Sequence, residues 1–207
     1  MTDTDWGDEG GQARSKKKRI PAWAWWTCGG GCLLVTLVVA SLTVFAVRLF
    51  REGTDPERQW PRLREVLAFE ERPAGIELEF GASIGASQFH LVDPEKDLRA
   101  TLVEYPSTAA ADYKRIMDPD FSLPLGMGAL VDPVRATLVI QGREVPSLRF
   151  SRIKPEPEGK GFGPGVRLDL TGERKKPRTL ELRRHGSGRI EDAEVAAFLE
   201  PFEVWKE

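Results

Sequence analysis

Hydrophobic residues are arranged in two different ways along this chain. From Ile20 to Val47 there are 28 consecutive residues without a charged side chain. After Trp60, apolar and polar residues alternate in short segments that are separated by turns rich in Gly, Pro and Asp. The long apolar run predicts a membrane-spanning helix, and the alternating segments predict a domain that consists largely of β-strands.

The uncharged run is long enough to cross a bilayer as an α-helix. At 1.5 Å per residue, about 20 residues span a hydrocarbon core of about 30 Å, and Cys28–Val47 supplies 20. We therefore predict a disordered tail over residues 1–19 and a transmembrane helix with interfacial edges over residues 20–50. The residues expected at the membrane interface are cations and indoles, namely Lys16, Lys17, Lys18, Arg19, Trp23, Trp25 and Trp26.

The flanking charges predict the orientation of this helix. The cations before it are denser than Arg48 and Arg51, which follow it, and the denser cluster is expected to stay in the cytoplasm. The expected location is thus the cell membrane, with a single pass, a cytoplasmic N-terminus and an extracytoplasmic C-terminal domain. In a cell with two membranes that domain would be periplasmic.

Three other roles are known for N-terminal segments of this kind. A cleaved signal peptide has a shorter apolar core, and Val44-Phe45-Ala46 matches its cleavage site poorly. A lipoprotein cysteine follows its apolar core, whereas Cys32 precedes most of it. S-acylation of Cys28 stays open.

Small residues recur at every fourth position of the predicted membrane helix. Such a stripe lets two helix backbones approach closely in lipid, and the alternative is that small residues are merely tolerated there. The candidate helix-packing stripe, for a protein partner or for a homo-oligomer, consists of Cys28, Cys32, Thr36 and Ala40.

Residues 51–59 are predicted to form a linker, and residues 60–207 a single extracytoplasmic α+β domain. Its strands come mostly as hairpins, which favours a mainly antiparallel sheet of about seven strands covered by about three helices. The predicted helices are Pro61–Phe69, Ala109–Met117 and Glu191–Glu200. The predicted strands are Ile76–Phe80, Gln88–Val92, Leu98–Tyr105, Val134–Gln141, Glu144–Arg152, Val166–Thr171 and Thr179–Arg184, with a loop over Asp118–Pro133.

Alternation also predicts which strand residues face the core. In the first strand, Ile76, Leu78 and Phe80 share one face. In the last hairpin the expected core residues are Val166, Leu168, Leu170, Leu180 and Leu182. The residues expected to face water there are Arg167, Asp169, Glu181 and Arg183.

Composition gives no support for catalysis or nucleic-acid binding. The formal net charge is −2, and from Glu52 onward 23 basic and 28 acidic side chains give about −5, whereas general nucleic-acid binders have a dominant basic face. His90 and His185 are far apart in sequence and no cysteine lies near them, so no metal site is predicted. Without a nucleophile motif or a phosphate-binding loop, we expect no catalytic residue and no cofactor.

The turn of the last hairpin is rich in cations. Its candidate contacts to an anionic partner are Arg174, Lys175, Lys176 and Arg178, and the alternative is an ordinary solvated turn. The expected function is a single-pass envelope protein whose outer domain binds or scaffolds a partner without catalysis, as an accessory subunit of a membrane assembly. The alternatives are a tethered sensor that acts through a partner and, less favoured, an enzyme with an unrecognised site.

Overall fold

A computed structural model describes residues 22–109, 113, 115–120, 129–154 and 163–206 of the 207-residue chain. The chain divides into two compact units, Met1–Ala46 and Val47–Glu207. Most of the first helix belongs to the first unit, and the whole sheet belongs to the second.

Helix α1 (Ala22–Gly53) contains 32 residues. Its first 26 residues include no Pro, which would break a helix, and no charged side chain. Its segment Leu33–Gly53 has 21 residues and contains an 18-residue window with a mean hydropathy of 2.4 and no buried residue. Among the described residues it is the one helix that is long and apolar enough to cross a membrane. A helix was predicted here, and the structure extends it to Gly53.

The second unit is an α+β domain around a seven-stranded antiparallel sheet of order β1-β2-β3-β9-β8-β6-β5, as the hairpin pattern predicted. The seven strands are β1 (Glu77–Ile84), β2 (Ala86–Asp93), β3 (Leu98–Glu104), β5 (Val134–Ile140), β6 (Arg143–Phe150), β8 (Gly165–Asp169) and β9 (Arg178–Arg184). A separate two-stranded sheet pairs β4 (Ala129–Val131) with β7 (Arg152–Lys154). The other described helices are α2 (Pro56–Val66), α3 (Asp192–Leu199) and a 3-10 turn at Ser107–Ala109.

The core lies on one face of the large sheet, under α2 and α3. The five leucines and valines predicted to face it in the last hairpin all have 0% exposure. Phe198 and Leu199 from α3 and Phe202 just after it are buried in the same cluster. Burial of this apolar surface is the main favourable term in the stability of the domain.

Both domain helices begin at recognisable caps. The Asp55 carboxylate accepts a hydrogen bond from the Glu57 amide at 3.2 Å, and Pro56 occupies the first helical position. In α3 the side chains of Glu191 and Glu194 form a capping box. The prediction that α2 begins at Pro61 is wrong, because Asp55-Pro56 starts the helix one and a half turns earlier.

The predicted linker over residues 51–59 is also wrong. Helix α1 continues to Gly53 and α2 begins at Pro56, so only Thr54 and Asp55 separate the two helices.

A β-bulge changes the faces of β1. The register with β2 shifts between Leu78 and Phe80, so Leu78 stays on the core face while Phe80 lies opposite His90 on the other face. The two rings are 5.8 Å apart. The prediction that Phe80 shares a face with Leu78 is therefore wrong, because a bulge inserts one residue without any signal in the alternation.

Two loop and strand boundaries also differ from the prediction. The predicted loop Asp118–Pro133 contains β4, and the predicted strand Glu144–Arg152 divides at Ser151 into β6 and β7. The Ser151 amide and hydroxyl both bind the Val131 carbonyl, which fixes this division. Of the predicted helix Ala109–Met117, the structure describes Ala109, which ends the 3-10 turn, and residues 113 and 115–117, of which 113, 115 and 116 are helical.

Candidate binding groove on the first domain helix

The last turn of α1, which belongs to the second unit, contacts the rest of that unit at the α1–α2 elbow (residues 50–59). The Gln59 side-chain amide donates to the Glu52 carbonyl at 2.6 Å, and Gln59 is 1% exposed. Gly53 lies so close to β1 that a Cβ there would be 2.5 Å from Cε2 of Phe80 and 2.9 Å from the Gly81 carbonyl oxygen. Helix α2 thus starts at a fixed position relative to the last turn of α1.

A groove runs along the outer side of α2, directly after the elbow. Trp60 and Phe69 form its floor, with ring centroids 5.5 Å apart in an edge-to-face contact. Its volume is about 360 Å³, which lies within the range of small-molecule sites. The residues that line it are Trp60, Pro61, Arg64, Glu65, Phe69, Glu70 and Arg72.

Two arginines stand over the aromatic floor. The guanidinium carbon of Arg64 is 5.7 Å from the Phe69 ring centroid, and that of Arg72 is 6.0 Å from the Trp60 ring centroid. Arg72 also forms a bidentate pair with Glu57, at 2.7 and 2.8 Å, which holds the pKa of that carboxyl below its usual value. The arginines therefore keep positive charge beside an apolar surface.

The rim of this groove carries charges of both signs. Arg64, Glu65 and Glu70 are exposed, and none of the three forms an ion pair with another residue that the structure describes. A second groove of about 260 Å³ shares Arg64, Glu65 and Phe69 with the first and continues to the C-terminal residues Glu203 and Lys206. The whole surface suits a ligand that is itself amphipathic and bears both charges.

The opposite face of the sheet contains a row of polar residues in register. His90, Thr101, Glu181 and Arg167 lie side by side across β2, β3, β9 and β8. Arg167 donates to Oε2 of Glu181 from Nε at 2.9 Å and from Nη2 at 2.6 Å, and its Nη1 donates to the Ile116 carbonyl at 2.6 Å. The hydrogen bonds of this row form two groups, one around His90 and one around the Arg167–Glu181 pair.

The buried pair corrects one sequence prediction. Arg167 is 4% exposed and Glu181 is 8% exposed, so neither faces water as expected. The helical residues around Ile116 cover this part of the sheet, which a strand pattern alone does not reveal. Burial alone would raise the pKa of Glu181, but the charges of Arg183 and Arg167 outweigh it and hold that pKa below its usual value.

His90 occupies the half-buried end of the polar row. Its Nδ1 is 3.3 Å from the Thr101 hydroxyl, and its Nε2 is 2.8 Å from the Gln88 amide nitrogen. The Gln88 amide must donate, so Nε2 accepts and Nδ1 carries the proton. Burial lowers the pKa of His90, Glu79 opposes this effect, and Arg183 and Arg99 reinforce it. Among the described residues no cluster of His, Cys, Asp or Glu could hold a metal ion.

The predicted cationic tip is dispersed in the structure. Arg178 is wrongly placed by the prediction, because it is 0% exposed and lies opposite Glu104 on the core face of β9. Its Nε donates to Glu104 at 3.2 Å, and Lys176 binds the same carboxylate at 3.1 Å. Arg174 is half-buried and lines the second groove, and the exposed cations at the turn are Lys175 and the Glu104-paired Lys176.

The remaining predicted sites lie on or before α1. The cations Lys16–Arg19 are outside the described residues, as are the side chains of the tryptophans and cysteines on α1. Thr36 and Ala40 lie on α1 and are exposed. The proposed packing stripe therefore stays a prediction.

The groove was not predicted from the sequence. Its residues come from α2 and from the segment between α2 and β1, and only the fold brings them together. The one local signal is the spacing of Trp60 and Arg64, which lie one helical turn apart, with Phe69 following shortly after.

No protein-family model matches the chain, and neither a curated protein nor a solved structure shows significant similarity to it. The geometry of α1, the elbow and the groove is therefore the basis for a functional proposal.

Proposed function

We propose that the protein is a single-pass membrane protein whose domain is held at the bilayer surface and binds a partner there without catalysis. One observation carries the proposal: an exposed apolar helix of membrane-spanning length runs without interruption into a folded domain. Since an 18-residue apolar window of this helix has no buried residue, a lipid environment would cover side chains that the described structure leaves exposed.

The elbow supports a close connection between the last turn of α1 and the start of the domain. Only Thr54 and Asp55 separate α1 from α2, and the Gln59–Glu52 contact and the close approach of Gly53 to Phe80 restrict the movement of this last turn against β1. The same restriction favours a second role, that of a sensor, because a rigid joint can pass a displacement from the domain to the helix. With a short cytoplasmic tail, such a sensor would act through a partner.

The groove and the polar row support binding rather than turnover. The groove is open and aromatic, with paired and stacked arginines, which is the composition of a recognition surface. In the polar row, both ring nitrogens of His90 and both nitrogens of the Arg167 fork are engaged within the protein. In the proposed orientation the N-terminus is cytoplasmic and the domain is outside.

Site-directed labelling tests the anchor and its orientation. In a Cys28→Ala/Cys32→Ala background, a single cysteine is introduced either in the tail (Gln12→Cys) or at an exposed position of the domain (Glu144→Cys). A membrane-impermeant maleimide added to intact cells or spheroplasts should label the domain cysteine, and the tail cysteine should react only after permeabilisation. The inverse pattern contradicts the orientation, and extraction of the protein by alkaline carbonate contradicts the anchor.

A further inference from the structure

We propose that the groove on α2 binds the headgroup of a zwitterionic phospholipid, one that carries both a phosphate and an ammonium group, as phosphatidylethanolamine does. This inference rests on the proposed function, since it assumes that α1 brings the groove to the bilayer surface. It goes further by naming the ligand class and the residues that recognise it.

The groove begins within reach of the bilayer interface. Trp60 follows Gly53 by seven positions, five of which lie in α2 at about 1.5 Å of rise per residue. The headgroup region extends several ångströms beyond the hydrocarbon core on each side. A lipid in the outer leaflet could therefore place its headgroup in the groove while its acyl chains stay in the membrane.

The floor of the groove is suited to the amphipathic part of such a ligand. Trp60 and Phe69 are 6% and 5% exposed, so only their outer edges are accessible, and Pro61 adds a flat apolar wall. Indole and phenyl rings favour the membrane interface because they offer apolar surface beside polar groups. The glycerol and the first methylenes of a lipid would lie on this surface.

The rim supplies one cation for the phosphate and two carboxylates for the ammonium of the headgroup. The Arg64 guanidinium is exposed and has no ion-pair partner among the described residues. Its Nη2 donates to the Glu70 carbonyl at 3.4 Å, and its Nε and Nη1 can donate to a phosphate. Glu65 and Glu70 line the same groove and can accept hydrogen bonds from a primary ammonium. Arg72 is already neutralised by Glu57 and serves to hold the indole floor.

The signs of the rim charges select against a purely anionic headgroup. A ligand with a phosphate and no cation would gain Arg64 but would lie beside the carboxylates of Glu65 and Glu70. Like charges at such short range weaken binding, so phosphatidylglycerol should bind less well than phosphatidylethanolamine. This preference separates specific recognition from general attraction of cations to an anionic membrane.

The test uses the full chain in a non-ionic detergent that contains no phosphate. Phosphatidylethanolamine and phosphatidylglycerol with the same acyl chains are added in equal amounts, and the retained lipid is counted by native mass spectrometry. We expect retention of phosphatidylethanolamine, about tenfold weaker binding in Arg64→Gln, and intermediate binding in Arg64→Lys, which keeps the charge but loses the fork. In Glu65→Gln/Glu70→Gln the preference over phosphatidylglycerol should disappear.

Arg135→Gln is the matched control, because Arg135 is an exposed arginine on the edge strand β5, away from the groove. It should bind both lipids as the unmodified protein does. Equal or stronger retention of phosphatidylglycerol, no retained lipid, or an unchanged affinity in Arg64→Gln would each overturn the proposal. Lipid binding in detergent does not depend on how the chain crosses a membrane. A negative result for lipid binding is therefore distinguishable from a negative result for the anchor in the labelling experiment.

Discussion

His90 is the residue whose protonation connects the local structure of the sheet to the stability of the domain. Burial is the largest cause of its lowered pKa, and the charged groups that face it are Glu79 from β1, Arg99 from β3 and Arg183 from β9. In the folded state the neutral ring is favoured, so below the usual value of 6.5 the unfolded chain binds more protons than the folded one. Stability should therefore decrease as the pH falls through this range.

The replacement His90→Gln tests this linkage. Between about pH 7.5 and 5.5, the unfolding midpoint of the unmodified protein should fall more than that of His90→Gln, because Gln has no proton to gain. The measurement is a series of thermal melts of the full chain in detergent. His185→Gln, at an exposed position after β9, should keep the full pH dependence. An equal decline in both variants would show that His90 does not contribute.

Single residues also mark where sequence reasoning succeeded and where it stopped. Leu168 and Leu180 were correctly placed in the core, because alternation fixes which residues share a face. Arg167 and Glu181 were assigned to water, because alternation does not tell whether a second layer covers the other face. The prediction for Arg178 was wrong for a related reason. Its neighbours in sequence indicate an exposed turn, but its pairing with Glu104 in β3 determines its burial.

At the scale of elements, the elbow explains why α1 and α2 are not separated by a flexible linker. Gly53 ends α1 at a point where the Phe80 ring and the Gly81 carbonyl leave no room for a side chain. The bulge between Leu78 and Phe80 produces this contact, since it turns Phe80 away from the core face. Hydrophobic periodicity predicted α1, α2 and β1 as elements but gave no information about the contact between them.

Gly53→Ala tests whether this close approach matters. The added methyl group would overlap the Phe80 ring and the Gly81 backbone, so the domain should lose about 1–3 kcal/mol of unfolding free energy, partly offset by the better helix propensity of Ala. Urea unfolding of the full chain in detergent provides the measurement. The control is Gly186→Ala, where the nearest atom to a new Cβ is 3.7 Å away. Equal stability of the two variants would mean that the elbow accommodates a methyl group at position 53 without a loss of stability.

At the scale of the whole molecule, the boundary between the two units does not coincide with the end of α1. The second unit begins at Val47, so the last turns of α1 belong to the folded domain, although the buried core cluster begins only at Trp60. Residues 47–59 lie between these two points. Their contacts within the domain include the Gln59–Glu52 hydrogen bond and the close approach of the Gly53 backbone to β1.

Two soluble fragments can measure this contribution. Residues 47–207 should fold alone, and residues 54–207 should be less stable by about 1–3 kcal/mol, because the shorter fragment lacks the Glu52 carbonyl that binds the Gln59 amide. The Gln59 Oε1 atom is already buried without a hydrogen bond in the part of the chain that the structure describes, so the loss would leave both polar atoms of this side chain unsatisfied. Urea unfolding of both fragments gives the difference. In a Gln59→Met background, where no polar group remains to be satisfied, the difference should shrink. Identical stability of the two fragments with Gln59 present would mean that the last turn of α1 is not part of the domain.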